Sequence, residues 1–335
     1  MLRNLVIAVL MLAGSFGAAA ADTLTVGTNR QYKEPSQAIA AAHDGDTIRI
    51  DQGTYFDCAI VRPAHLTIEG VGPNVVLTDK ACAGKAILVV DGNDVIIRNL
   101  TLQRVRVPEP NGAGIRAEGG NLTVENVRFI NNQDGILSAA NPQATIKIIN
   151  SQFVDNGGCY PSGVCAHALY AGNIGELQVE NSRFYDNHGG HNIKSRALKT
   201  EVLDCDIEDG PAGSSSYLID IPNGGTAIIS GNTLEKGPKS ENWRNTIMIG
   251  EEGVTHPTDE LIIKNNTLTN NTGHQTIFVH NITATPAQLS GNMFKGGRVI
   301  PLQGGWFDQI TFALARNARG AAHLAVTLVH KLFAP

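Results

Sequence analysis

Residues 121–130 read NLTVENVRFI, residues 145–154 TIKIINSQFV and residues 176–185 ELQVENSRFY. Each is a short aliphatic strand, an Asn at a corner, and a Phe three places on. The pattern returns as TEVLDCDI (200–207), TAIISGNTL (226–234), LIIKNNTL (261–268) and AQLSGNMF (287–294). Asn holds the corner at 126, 150, 181, 232, 265 or 266, and 292, and Asp204-Cys205 is the one departure. Asn suits a sharp corner twice over. It tolerates left-handed backbone geometry, and its amide both donates and accepts, so it can bond its equivalent one coil away.

A first aliphatic strand precedes each of these. Its aligned centres are Ile115, Ile136, Leu169, Ile193, Ile219, Ile247 and Ile277, on average 27 residues apart with spacings from 21 to 33. Fixed short strands joined by loops of variable length predict an all-β parallel solenoid, not a strict-length helical repeat. Composition agrees, with 42% hydrophobic residues, only 5% aromatics and 36 glycines. Five Asn-X-Ser/Thr sequons, at Asn99, Asn121, Asn265, Asn270 and Asn281, read as turn chemistry within this repeat.

The ends of the chain differ from its middle. Residues 1–21 carry Arg3, the apolar run LVIAVLMLAG and a small-residue stretch up to Ala21, the pattern of a secretory signal peptide too short to span a membrane comfortably. The expected protein is therefore exported, periplasmic or secreted. EPSQAIAAAHDGDTIRIDQGTY (34–55) reads as a short helix, a turn and a strand, an N-terminal cap on the first coil. Residues 22–304 form the solenoid domain. Residues 305–335 lose the corner signature and read as a helical cap or tail. Export permits disulfides: Cys159 with Cys165 around CYPSGVC, and Cys58 with Cys82 about one coil apart, which leaves Cys205 as a buried apolar thiol.

The order of cap, early strand LTIEGVG (66–72) and Asn-cornered coils resembles the right-handed parallel β-helix, or pectate-lyase-like, superfamily over about residues 24–300. The resemblance implies a single-stranded right-handed parallel β-helix with an N-terminal helical cap and a C-terminal helical segment. It also implies a polysaccharide site on the outer face of the first sheet and its flanking loops. The fold hosts lyases, hydrolases, epimerases, esterases and binding proteins, so it does not choose among them.

Alternation along the first strands places candidate chemistry on that face. With Leu169, Ile193 and Ile219 inward, Tyr170, Lys194 and Asp220 point outward on three successive coils, with Arg196 beside Lys194. His167 and His191 precede their strands at matching positions, and Asn223 follows Asp220. Outward positions at Leu137 and Met248 are apolar, so the polar residues concentrate in HALYAG, HNIKSRA and SSYLIDIPNGG. Long glycine-rich loops flank them.

These residue types suit β-elimination or epimerisation of a uronate-containing glycan. Arg196 would pair with the sugar carboxylate as a planar fork. Lys194, its pKa depressed by that neighbour, would remove the C5 proton. Tyr170 or His191 would supply an acid proton, and His167, Asp220, Asn223, Tyr217 and Glu251 would bind substrate. NIKSRA is similar to the Lys-Ser strand of the chondroitinase-B and alginate-lyase branch, where the resemblance implies a Lys base and an Arg on the neighbouring coil. Here the Arg lies on the same strand, and the next coil offers Asp220.

Two further readings stand beside this one. One is a non-catalytic carbohydrate-binding or envelope structural solenoid. The other is a glycoside hydrolase using Asp220 with Glu251 or Glu252, which requires two carboxylates across the cut bond. No C-x2-C pair exists for zinc. Asp220 with Glu251 is a thin carboxylate set for Ca2+, so no metal or other cofactor is assigned. The expected partner is a polysaccharide of anionic character. A net charge of −5 without a basic run shows no phosphate-tracking patch and makes a poor nucleic-acid binder, a local basic site aside.

Overall fold

The computed structural model describes residues 21–304. The leader reading, Ala21 apart, and the helical reading of 305–335 lie outside the described residues. Within them the chain is an all-β parallel β-helix, and its one helix is Pro35–Ala41. That helix starts with Pro in its first turn, where a missing N–H is harmless, and Gln37 Oε1 accepts the Glu34 N–H at 3.3 Å. It buries Ala38 and Ile39 against the first strands.

Ten strands make one sheet, from Ala59–Val61 through Leu169–Ala171, Ile193–Ser195, Ile219–Ile221 and Asn245–Ile249 to Val299–Gly304. The remaining sides are wrapped by a second, nineteen-stranded sheet, which the long strand His65–Thr78 joins across a corner. Coil pairs with next coil in parallel throughout. The exception among named strands is the hairpin Gly158–Cys159 with Cys165–Ala166, which carries the Cys159–Cys165 disulfide. The second disulfide joins Cys58 to Cys82.

The expected register holds from Ile115 through Ile136, Leu169, Ile193 and Ile219 to Ile247. The last centre is corrected. Ile247 pairs with Val279, while Ile277 pairs with Asn245. A slip of two residues keeps the same face inward, so alternation could not reveal it. Inside, Phe129, Phe153 and Phe184 occupy one register position and stack at 4.6 and 4.5 Å.

The corner holds two residues where the sequence suggested one. The left-handed position is taken by Asn126 (φ 52°), Asn150 (φ 51°), Asn181 (φ 47°), Asp204 (φ 53°), Gly231 (φ 75°), Asn265 (φ 57°) and Gly291 (φ 64°). The ladder runs through the residue after it. Ser151 Oγ accepts Val127 N–H, Ser182 Oγ accepts Ser151 N–H, and Cys205 Sγ accepts Ser182 N–H. Asn232, Asn266 and Asn292 continue the line at 2.9–3.0 Å. Asp204-Cys205 is thus no departure, and Cys205, the free thiol buried in the hydrophobic core as expected, is a ladder rung as well. A second ladder, Asn132–Asn156–Asn187, runs at the next corner behind Asn131, Asp155 and Asp186.

Candidate functional site

The outward column of the ten-stranded sheet reads Arg116, Leu137, Tyr170, Lys194, Asp220, Met248, His280. Loop 250–258 folds back over it. Glu252 N–H donates to Pro222 O at 3.0 Å, Thr255 and His256 N–H donate to Asn223 O, and His256 Nε2 lies 3.1 Å from Arg196 O. The loop delivers Glu252 onto the two cations. Its Oε1 is 2.6 Å from Lys194 Nζ, and its Oε2 accepts from Arg196 Nη2. Arg196 completes its fork by donating from Nε to Tyr170 Oη at 2.8 Å and from Nη1 to Asn223 Oδ1.

This packing corrects the expectation for Lys194. Burial, and behind it the expected neighbour Arg196, pull its pKa down, but Asp220 and Glu252 more than offset both, and the net shift is upward. Lys194 is therefore an ammonium, not a free-base amine. Glu252 shows the converse balance. Burial raises it, the hydrogen bonds and charges of Lys194 and Arg196 lower it further, and it stays ionised.

Behind this patch lies a second, buried one. Asp220 is fully buried, with Oδ2 at 3.3 Å from Lys194 Nζ and 3.4 Å from His191 Nε2. Neither of its oxygens receives a well-aligned hydrogen bond. Burial, reinforced by Glu251 and Glu252, raises its pKa to about 8 against the pull of Lys194. A carboxyl sealed from solvent cannot flank a glycosidic bond, so pairing Asp220 with Glu251 or Glu252 as a hydrolase dyad fails on access. Tyr217 donates to Glu251 at 2.7 Å, and burial first, then Glu251, raises the phenol's pKa.

The histidines form a ladder of their own. Asp134 Oδ1 accepts His167 N–H at 2.6 Å, His167 Nδ1 accepts His191 N–H at 3.0 Å, and His191 Nδ1 accepts Tyr217 N–H at 3.1 Å. The rings of His167, His191 and Tyr217 stack at 4.9 and 4.8 Å. A ring whose Nδ1 accepts must carry its proton on Nε2 when neutral. Burial, then the neighbouring cation Lys194, lowers His167 to about 3; burial, then His167, lowers His191 well below its ordinary value. Both rings are neutral Nε2–H donors. This weighs against His191 as a group that titrates during turnover.

His191, Asp220 and Glu251 bring three metal-type donor atoms within 4.8 Å of one another. They do not fit a cation. A metal on His191 Nε2 would move the ring proton to Nδ1, straight at the Tyr217 N–H, and the Lys194 ammonium already lies against Asp220.

Of the expected residues, Tyr170, Lys194, Arg196 and Asn223 converge on one partly open patch, and His191, Asp220, Tyr217 and Glu251 on the buried one beside it. His167 packs edge-on to Tyr170, ring centroids 5.4 Å apart. Sequence reasoning named Glu252 only as a hydrolase acid and missed His256 and Asp134. The available signal was EEG at 251–253, an acidic pair in the loop directly after a face strand.

A family model described as the right-handed beta helix region matches residues 28–164 and 158–312. Comparison with curated proteins finds no match. Among solved structures, the chain is similar to the pectin methylesterase from Aspergillus niger in a penultimately deglycosylated form, at 14% identity and TM-score 0.44, covering 88% of each chain. It is also similar to the deglycosylated form of that enzyme, at 14% identity and TM-score 0.37, covering 86% of this chain and 92% of the other. With most of its length matched by that one model, the chain belongs to the right-handed β-helix family.

Proposed function

We propose that this protein is an exported enzyme acting on a uronate-containing polysaccharide, a lyase or epimerase that removes the C5 proton. One observation carries the reading: two cations of one coil, Lys194 on a face strand and Arg196 just past its end, grip a carboxylate, with the Tyr170 phenol bonded to the same guanidinium. Replace that carboxylate by the sugar's own, and Lys194 and Arg196 neutralise it. Neutralisation acidifies the adjacent C5–H, and charge-assisted hydrogen bonds are the strong ones for the task.

Lys194 then serves as the charge-neutralising group, and proton transfer falls to Tyr170. Its oxygen accepts from Arg196 Nε, which fixes it beside the carboxylate that the two cations would hold. In elimination, the Tyr170 oxygen takes the C5 proton, the C4–O bond breaks, and the same oxygen passes that proton to the departing oxygen. In epimerisation a proton from solvent water returns to C5 on the opposite face, and Tyr170 releases the abstracted proton to solvent. His167 Nε2–H and Asn223 are substrate-binding groups, while His191 and Asp220 hold Lys194 in position.

The test is turnover in D2O with alginate, polygalacturonate and a glycosaminoglycan, read as unsaturated-product absorbance and as deuterium at C5. Both chemistries write deuterium or unsaturation into the product. A mature protein that yields neither, on any of the three, is no C5-acting enzyme. The non-catalytic carbohydrate-binding reading draws on a different fact: both cations already have carboxylate partners within the chain.

A further inference from the structure

The carboxylate between the two cations is the protein's own, and it is the outermost member of the cluster. The Glu252 side chain is 39% exposed, against 23% for Arg196 and 9% for Lys194. Its backbone is held by the Glu252 N–H bond to Pro222 O, by the Thr255 and His256 N–H bonds to Asn223 O, and by His256 Nε2 at Arg196 O. Glu252 can therefore leave the cations by turning its own side-chain torsions, with no opening of loop 250–258. The neighbouring Glu251 is engaged elsewhere, by the Tyr217 hydroxyl. Two consecutive acids thus have separate tasks, and only Glu252 reaches the open patch.

We propose that Glu252 is a resident competitor, an internal carboxylate that fills the anionic-sugar subsite and yields to the carboxylate of an incoming uronate residue. This rests on the reading of the Lys194–Arg196 patch given above. The exchange is like for like. Lys194 and Arg196 pass from one carboxylate to another and are never left unpaired in a half-buried place, where a lone charge is costly. A neutral sugar cannot drive the exchange, because displacing Glu252 would take from Arg196 its ion-pair partner and leave Lys194 with the buried Asp220 alone. Glu252 thereby turns a generally polar patch into one that selects anionic sugars, by raising the barrier against the wrong ligand. It also reduces the apparent affinity for the right one by the fraction of time the subsite is free.

The experiment is calorimetric binding of a galacturonate trisaccharide, a mannuronate trisaccharide and a neutral galactose trisaccharide. The proteins are the wild type, Glu252→Gln, Glu252→Asp and Arg196→Ala, each checked by melting temperature. Gln keeps the length and loses the charge, so Glu252→Gln should bind an anionic probe about tenfold tighter, as expected when a competing state is removed. It should also bind the neutral probe more readily than the wild type does. Asp keeps the charge but cannot span both cations, and should give a smaller gain in the same direction, which serves if the Gln variant does not fold. Unchanged or weaker anionic binding by the Glu252 variants, with binding lost in Arg196→Ala, overturns the competitor while leaving the cation subsite standing. Absence of anionic binding in every variant removes the functional reading and the competitor with it.

Discussion

At the scale of single residues, the cluster is governed by what each charge is made to face. His167 and His191 are neutral because burial and two cations oppose a third positive charge, and because the next coil's N–H occupies Nδ1. Nitrogen shifts of the two rings should therefore report the Nε2–H tautomer from pH 5 to pH 8; a ring titrating between 5.5 and 7 contradicts the ladder. The sign for stability follows from linkage. In the unfolded chain each His takes a proton near 6.5, whereas folded His167 takes one only near 3. Native stability from this ring is full above 6.5 and falls as pH drops below it, at about 1.4 kcal/mol per pH unit. Asp134 and Asp220 titrate with the opposite slope, so the comparison is with His167→Gln, which keeps an acceptor. The gap between wild type and variant should change with pH below 6.5 and stay constant above it. The Tyr170–Lys194–Asp220 column was legible in the sequence, because a two-residue alternation and a coil-to-coil step fix it. The charge state of Lys194 was not, because its partner Glu252 arrives from 58 residues further on through a loop without period.

At the scale of the element, the corner divides its work between two residues. The first must accept a left-handed backbone, which Asn, Asp and Gly do at little strain. The second must present an acceptor to the N–H of the preceding coil. Cys205 fills the second role with sulfur, a weak acceptor, at 3.5 Å. Cys205→Val should leave Ser182 N–H buried without a partner and destabilise by about 1–3 kcal/mol. Cys205→Asn, which copies 232, 266 and 292, should match or exceed the wild type. Denaturant midpoints decide between them, and a Val variant as stable as the wild type would remove the ladder's energetic role. The sequence revealed that corners exist and where, since Asn is common to both roles. It merged the two positions, because coils such as Asn150-Ser151 show Asn in the first and coils such as Gly231-Asn232 show it in the second. The slip from Ile277 to Val279 has a related origin: both residues are aliphatic, and both face inward.

At the scale of the molecule, the helix is a stack in which each coil bonds only to its neighbours, so stability is local along the axis. The Cys58–Cys82 bridge lies near one end, four face strands and more from Lys194. Replacing both cysteines by Ser should cost about 3 kcal/mol by the loop-closure account. Hydrogen exchange should quicken at residues 59–90 and stay unchanged at 193–221. Equal loss of protection in both regions would mean that the stack melts as one unit. The two-residue corner has a further consequence, for how such a chain lengthens. A coil boundary is written by one left-handed residue and one acceptor, and at the first position Asn, Asp and Gly are interchangeable from coil to coil. A duplicated coil brings both with it and asks nothing new of the coils above and below. Gene duplication can therefore extend the stack one rung at a time, shifting every later loop by a fixed step while leaving the chemistry carried on each loop intact.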